Sequence, residues 1–359
     1  MTSDRIAELS DLVLRKRCTH ILVSDAVDVR AVCGFHASNV YLLVSPGRCC
    51  LCTDFRYRQA ARRFCRMRRQ WRFVEIAQGG FSFLAQCIRR GSTLGIQSES
   101  MTVDSFGRIR AVLRGVSLVK LPGAVPGLSV AKTPAEVAVI RRCATIGDAA
   151  LAWTVRRLKK GITEREAAAL LEDRCRRLGA EKMGFDTIVL FGPHTALPHG
   201  EPADRRLATG DWVLFDFGCA RDGLCSDMTR TFVFGRAGAR QRKIYAIVLR
   251  AQARARAGIR AGMRARDADR LARSVIAAAG YGNYFGHGTG HGVGYRVHEP
   301  PHLSRTSAEV LVQGAVVTVE PGIYLPGFGG VRIEDMVHLA GTGAEILTGF
   351  PRELIELGA

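Results

Sequence analysis

Residues 161–179, GITEREAAALLEDRCRRLG, align without a gap onto residues 262–280, GMRARDADRLARSVIAAAG, at an offset of 101 positions. Gly161/Gly262, Arg165/Arg266, Ala167/Ala268, Leu170/Leu271 and Gly179/Gly280 are identical. The residues downstream of each copy repeat as well. His199, Asp216 and Asp227 come after the first, and His298, Glu320 and Glu334 after the second, at offsets of 99, 104 and 107. This stretch therefore reads as two similar halves related by an internal pseudo-twofold, each supplying one histidine and two acids. Helix starts agree with that division. Thr133 with Pro134 and Glu136, and Thr163 with Glu166, are capping boxes at the head of two successive helices.

Towards the N-terminus, LPGAVPGLSVAKTP (121–134) places Pro122, Gly123, Pro126 and Gly127 within six positions, which interrupts regular structure. The expected organisation is an α/β domain over residues 1–128 and a second, α+β domain over 129–359. In the first, HILVSD, NVYLLVSP and RCCLCTD read as strands. The segment Arg56 to Arg72, RYRQAARRFCRMRRQWR, reads as an amphipathic helix with Ala60, Phe64 and Met67 facing inward and the arginines in water.

The 359 residues are 47% hydrophobic and 24% charged, as in a globular chain rather than a disordered or fibrous one. No run approaches the roughly 18 apolar residues of a membrane span, and the first twenty residues hold no apolar signal core, so a cytoplasmic protein with no membrane partner is expected. Eleven cysteines are expected to be reduced, because Cys49, Cys50 and Cys52 have no second pair to complete a zinc site. The net charge of +19 favours weak attraction to polyanions. No nucleic-acid motif accompanies it, so no specific nucleic-acid partner is expected.

The chemistry concentrates in the acids. Asp216 lies inside VLFDFG, and Asp227 comes eleven residues later, after the turn-forming RDG. Glu320 ends VVTVE, and Glu334 lies in VRIEDMV beyond a Gly- and Pro-rich turn. Two hairpins would bring four carboxylates into one interior, where they desolvate and repel unless a cation compensates them. Singly, Asp227 could be paired by Arg230 and Glu334 by Arg332; four together are not explained that way. Between the hairpins, FGHGTGHGVGYRVHEPP adds His287, His291 and His298. One nitrogen and four carboxylates suffice for two divalent ions, and oxygen-rich ligation favours Mn²⁺ or Co²⁺ over the thiolate- and imidazole-rich sets typical of structural Zn²⁺.

ALPHG (196–200), DFG (216–218), SDMTRT (226–231), HGTGHGVG (287–294), HEPP (298–301), VEPGIY (319–324) and GGVRIED (329–335) together resemble the pita-bread metallopeptidases, the family of aminopeptidase P, prolidase and methionine aminopeptidase. CGFHASN (33–39) and TDFRYRQA (53–60) resemble the creatinase-type N-terminal domain of its proline-specific members. The implied fold is an α/β creatinase-like N-terminal domain followed by an α+β pita-bread domain.

The resemblance implies that Asp216 chelates one metal, that His291 and Glu320 hold the other, and that Asp227 and Glu334 bridge. It gives His199, His287 and His298 roles in binding substrate or stabilising the tetrahedral intermediate, with Arg332 in support. The metals would activate water for attack on the scissile carbonyl, Glu320 would carry its proton to the leaving nitrogen, and His298 or His199 would face the oxyanion. The implied substrate is a peptide with proline in second position, cleaved as by an Xaa-Pro aminopeptidase or an Xaa-Pro dipeptidase, with Mn²⁺ expected, Co²⁺ or Zn²⁺ as alternatives, and a homodimer as the assembly. The alternative is a non-catalytic basic module associating with nucleic acid. Where relatives often have Ala-Ser-Gly this chain has Leu190-Phe191-Gly192, expected to reshape the pocket for the first substrate residue.

Overall fold

A computed structural model describes residues 2–77, 80–341 and 343–358. It divides into two units, Met1–Ser129 and Val130–Ala359.

The first unit is built on a six-stranded sheet of β1 (His20–Val23), β2 (Val40–Ser45), β3 (Arg48–Thr53), β4 (Trp71–Glu75), β5 (Thr93–Ile96) and β6 (Ser117–Lys120), in the order β4-β3-β2-β1-β5-β6. The central β1–β2–β3 pairings are antiparallel and the outer ones parallel. Four helices accompany it: α1 (Thr2–Arg15), α2 (Ala26–Cys33), α3 (Arg58–Arg66) and α4 (Val103–Val112). The α2 helix shows how closely sequence sets the bounds. Asp25 caps the backbone N–H groups of Val27 and Asp28, and Gly34 ends the helix at φ +80°, a left-handed conformation that glycine adopts without strain. The arginine-rich helix is shorter than its charge pattern suggested and rotated in phase. Ala61 and Cys65 are buried with Phe64 partly so, while Ala60 and Met67 are exposed. The break after Arg66 starts the chain toward β4, and that leaves Met67 outside the packed face.

The second unit repeats one motif. Helices α5 (Pro134–Val155) and α6 (Glu164–Arg177) open the first half, and α7 (Ala239–Gly258) and α8 (Ala265–Ala278) open the second. Both ends of α8 are offset from those of α6 by 101, the offset of the sequence repeat. Isolated bridges recur likewise, Thr163 to Arg206 in one half and Arg264 to Val310 in the other. Both capping boxes form, Thr133 with Glu136 and Thr163 with Glu166. The first half then carries β7 (Lys182–Met183), β8 (Ile188–Phe191), β9 (Trp212–Phe217), β10 (Cys219–Arg221), β11 (Leu224–Cys225) and β12 (Met228–Phe234). The second carries β13 (Gly290–Gly292), β14 (Glu299–Leu303), β15 (Val316–Val319), β16 (Gly322–Leu325), β17 (Gly329–Arg332), β18 (Asp335–Ala340) and β19 (Gly343–Ile346), with β20 (Glu356–Leu357) returning beside β12.

In each half a long antiparallel ladder is interrupted by a smaller hairpin, and the acids sit at the interruption. The β9–β12 ladder runs from Trp212↔Val233 to Phe217↔Met228, and the β10–β11 hairpin loops out between. Its turn is the RDG of the sequence, with Asp222 at φ +51° and Gly223 at φ +83°, so RDG closes this side hairpin and not the ladder that carries Asp216. In the second half β15 pairs β18 up to Val319↔Asp335, and β16–β17 loops out between Glu320 and Glu334. One apolar core packs α5 and α6 with β9 and β12 through Leu151, Leu171, Phe215 and Phe232; another packs α7 and α8 with β15 and β18 through Val248, Ile276, Val317 and Val337. At about 1.5–3 kcal/mol for each large apolar side chain fully buried, these cores hold the acid-bearing strand ends in place.

Candidate active site

All nine residues singled out from sequence line one cavity of about 330 Å³: His199, Asp216, Asp227, His287, His291, His298, Glu320, Arg332 and Glu334, with Phe185, Ile188 and Pro198 on its apolar side. Asp216 comes from β9, Asp227 from the residue before β12, His291 from β13, Glu320 from the residue after β15, and Glu334 from the residue before β18. The ligand atoms of Asp227, His291 and Glu334 lie within 4.8 Å of one another. His291 Nε2 is 3.2 Å from Glu320 Oε1 and 3.7 Å from Asp227 Oδ2, and its Nδ1 lies 3.1 Å from the Gly292 carbonyl. A proton on Nδ1 donated to that carbonyl fixes the ring with Nε2 aimed at the carboxylates.

The pairings that would have explained the acids singly are not made. Arg230 donates to Asp335 Oδ1 at 2.8 Å, not to Asp227. Arg332 donates to Asp216 Oδ2 at 2.5 Å, not to Glu334, and its other donors go to Thr229 Oγ1 at 2.9 Å, Tyr324 Oη at 2.8 Å and the Pro198 carbonyl at 3.3 Å. The remaining oxygens, Asp216 Oδ1 and Asp227 Oδ1, are buried without a hydrogen-bond partner among the described residues. Buried carboxylate oxygens are rarely left so, and a divalent cation would complete them.

The electrostatics agree. Burial first, then the charges of Glu334, Asp216 and Glu320, hold the Asp227 pKa well above the usual carboxylate range. Glu334 is pushed up by burial and by Glu320 and Asp216, although Thr229 donates to its Oε2 at 2.7 Å. Burial would raise Glu320 too, but the hydrogen bond and charge of His291 bring it down to about 2. Burial alone would lower His291; Glu320 and Glu334 hold it up to about 9. Two acids pushed toward neutrality beside a histidine that resists losing its proton leave a charge balance that a bound divalent cation would reverse.

The three other histidines singled out from the sequence differ in setting. His199 and His298 are exposed on the cavity wall, the His298 ring 4.2 Å from that of His291. His287 is held: its Nδ1 lies 2.7 Å from the Gly288 carbonyl and its Nε2 2.8 Å from Tyr324 Oη. Burial keeps its pKa low, so Nδ1–H donates to the carbonyl and Nε2 accepts the tyrosine proton.

Three residues of this network carried no role in the sequence reading. Tyr324 joins His287 to Arg332, Thr229 joins Arg332 to Glu334, and Thr318 accepts from the His291 backbone N–H at 3.0 Å and donates to Glu320 Oε1 at 3.1 Å. For the two threonines, as for Arg332, the signal was strand periodicity. Thr229 lies two residues after Asp227, Thr318 two before Glu320, and Arg332 two before Glu334, so each pair shares a face where the backbone is extended. The expectation for Leu190-Phe191-Gly192 is corrected: Leu190 and Phe191 are fully buried, Phe191 packs in the α5–α6 core, and Ile188 is the residue of β8 that lines the cavity.

This fold and ligand set are those of a metal-dependent hydrolase. Residues 138–340 match Metallopeptidase family M24 and residues 5–128 match the Creatinase/Prolidase N-terminal domain; the chain belongs to metallopeptidase family M24. It is 38% identical over 342 residues to the uncharacterized peptidase YqhT of Bacillus subtilis, covering 94% of this chain and 95% of that one. Among solved structures it is similar to an Xaa-Pro dipeptidase from Bacillus anthracis (36% identity, TM-score 0.93, 99% and 100% of the two chains). A prolidase from Pyrococcus horikoshii (31%, 0.90, 98% and 100%) and an X-Pro aminopeptidase from Thermotoga maritima (33%, 0.87, 98% and 99%) are also similar. The pita-bread reading of the second unit, with its internal repeat, and the metallopeptidase assignment therefore stand. The nucleic-acid-binding alternative finds no support in these likenesses. Among the described residues no helix is long and apolar enough to cross a membrane.

Proposed function

We propose that the chain is an exopeptidase with a pair of divalent cations that hydrolyses the bond between an N-terminal residue and proline. The observation that carries the metal site is the pair of buried oxygens that have no hydrogen-bond partner among the described residues, Asp216 Oδ1 and Asp227 Oδ1, in a cavity shared with Glu320, Glu334 and His291. The Xaa-Pro preference rests on the likeness to an Xaa-Pro dipeptidase, a prolidase and an X-Pro aminopeptidase.

Asp216, Asp227, His291, Glu320 and Glu334 would hold the cations, which supply Lewis acidity and bring the pKa of water toward neutrality. The protein's own groups do the rest. Glu320 is ionised at neutral pH and can accept a proton near the scissile bond and pass it to the leaving nitrogen. His199 and His298, exposed on the wall, offer ring N–H groups to the carbonyl oxygen as charge develops there. His287, fixed by Tyr324, orients substrate, and Arg332 holds Asp216 in position. The acidic end of the cavity accommodates a free ammonium group, which favours removal of an N-terminal residue. A volume of about 330 Å³ suits a short peptide.

The same reading has Mn²⁺ as the metal, on the oxygen-rich ligand set, with Co²⁺ or Zn²⁺ as substitutes. It has the cytoplasm as compartment, on eleven unpaired cysteines, and a homodimer as assembly, on the family resemblance. The test is hydrolysis of Gly-Pro and of an Xaa-Pro tripeptide by Mn²⁺-loaded enzyme. Cleavage of the dipeptide alone identifies a dipeptidase, cleavage of both an aminopeptidase, and cleavage of neither overturns the Xaa-Pro assignment.

A further inference from the structure

Of the eleven cysteines, nine are buried, and the two that are not, Cys50 and Cys87, sit together. Cys50 is on β3 and Cys87 follows the short 3₁₀ helix Phe81–Gln86, so residues 37 apart in sequence become neighbours on one cleft. Both line a cleft of about 800 Å³ in the first unit, whose charged wall is Arg48, Arg69, Arg72 and Arg89. Arg72 lies directly across from Cys50 in the β3–β4 ladder. The cleft contains no carboxylate among its lining residues.

We propose that this cleft is a peroxide-reactive dithiol site in which Cys50 is the nucleophile and Cys87 the resolving thiol. Cys50, as thiolate, attacks one peroxide oxygen; the O–O bond breaks, Cys50 becomes a sulfenic acid, and the departing hydroxide takes up the proton that Cys50 gave away. The Cys87 sulfur then attacks the Cys50 sulfur as its own proton leaves; the S–S bond forms, the S–O bond breaks, and water departs. Two thiols are oxidised and one peroxide is reduced to two waters.

The asymmetry of the pair assigns the order. The hydrogen bond from Cys87 brings Cys50 down to about 7 against the opposing effect of burial, with Arg72 and Arg48 adding to the lowering. The same hydrogen bond, with burial, pushes Cys87 up. Cys50 is thus the thiol that is ionised near neutrality, and the thiolate is the form that reacts. The nine buried cysteines lack this exposure. Cys33, Cys49 and Cys143 are raised by burial to about 12.

The test exposes the full-length protein to stoichiometric hydrogen peroxide, quenches it at intervals with an alkylating agent, and sequences tryptic peptides by mass spectrometry. Cys49, Cys50 and Cys52 fall in one peptide, so fragment ions and a Cys50→Ser variant assign the sulfur. The expected result is a Cys50–Cys87 cross-link, reversed by dithiothreitol, with Cys50 consumed roughly tenfold faster than a thiol of ordinary pKa. In Cys87→Ser, a dimedone-reactive sulfenic acid accumulates at Cys50; in Cys50→Ser, Cys87 stays reduced. Circular dichroism of both variants confirms the fold. Oxidation of Cys50 no faster than of the buried cysteines, or a dithiothreitol-reversible link joining Cys50 to any other cysteine, overturns the proposal.

Discussion

Arg332 Nη2 donates to Asp216 Oδ2 at 2.5 Å, while the other oxygen of that carboxylate is buried without a hydrogen-bond partner among the described residues. One face of Asp216 is thus satisfied by a fixed cation of the protein, and on the proposed function the other would face a bound cation. Arg332 is itself buried, and Thr229, Tyr324 and Pro198 occupy its remaining donors. Its fork geometry cannot be reproduced by an ammonium. Arg332→Lys should therefore lower metal affinity or turnover by roughly 10–100-fold, the usual cost of losing a group that orients a ligand. Calorimetric metal titration beside steady-state kinetics measures it, and wild-type values in both would show that Arg332 does not position Asp216.

Asp227 is crowded by three other acids and is destabilised by burial with no donor on Oδ1. In metal-free protein, Asp227→Asn should therefore stabilise the fold, on the order of 1 kcal/mol, read as a rise of roughly 2–4 °C in melting temperature. The same variant should lose both hydrolysis and the stabilisation that Mn²⁺ gives wild type. A lower melting temperature in the metal-free variant would mean that Asp227 is held by something other than a cation.

His291 contributes to the pH dependence of the metal-free protein near neutrality. Its folded pKa, about 9, lies above the ordinary value near 6.5. A group raised in this way contributes stability that is fully present below the unfolded pKa and is lost as pH rises through the folded one. Metal-free protein should lose stability between about pH 6.5 and 9. Asp227 and Glu334, also raised, contribute in the same direction from lower pH upward. On the proposed ligand set, metal binding needs neutral His291 and should release a proton, so Mn²⁺ affinity should rise over the same window. Thermal melts of chelated wild type and His291→Gln across that range test the sign; a wild-type slope no steeper than that of the variant would contradict it.

Tyr324→Phe removes one hydroxyl that accepts from Arg332 and donates to His287. One buried and one half-buried partner, Arg332 and His287, are left short, at a cost of roughly 1–3 kcal/mol. Because Tyr324 touches none of the five metal-site residues by hydrogen bond, metal content should stay at the wild-type level while kcat/KM falls about tenfold. A fall in metal content with unchanged kcat/KM of the loaded fraction would place Tyr324 with the ligands instead.

The acids and His291 were legible in the sequence because each breaks a local rule: a carboxylate inside an apolar run such as VLFDFG needs a reason. The internal repeat was legible because its helices kept one offset, 101, at both ends. Thr229, Thr318 and Tyr324 were not, because a hydroxyl on a buried strand is unremarkable until the chain a hundred residues away supplies its partner. The side hairpins β10–β11 and β16–β17 were missed for a related reason: RDG announces a turn but not which strands it joins. The phase of α3 failed because Ala60, Ala61, Phe64, Cys65 and Met67 permit two apolar faces, and the path into β4 decides between them.

The proposal that Asp216, Asp227, His291, Glu320 and Glu334 together bind a pair of cations on which hydrolysis depends is tested most directly by one titration. Exhaustively chelated protein is titrated with Mn²⁺ while bound metal and Gly-Pro hydrolysis are followed in the same sample. The expected result is a pair of ions per chain at saturation, no turnover without them, and neither binding nor turnover in Asp227→Ala. Full hydrolysis by the chelated protein, or an Asp227→Ala variant that binds metal and turns over as wild type does, would contradict it.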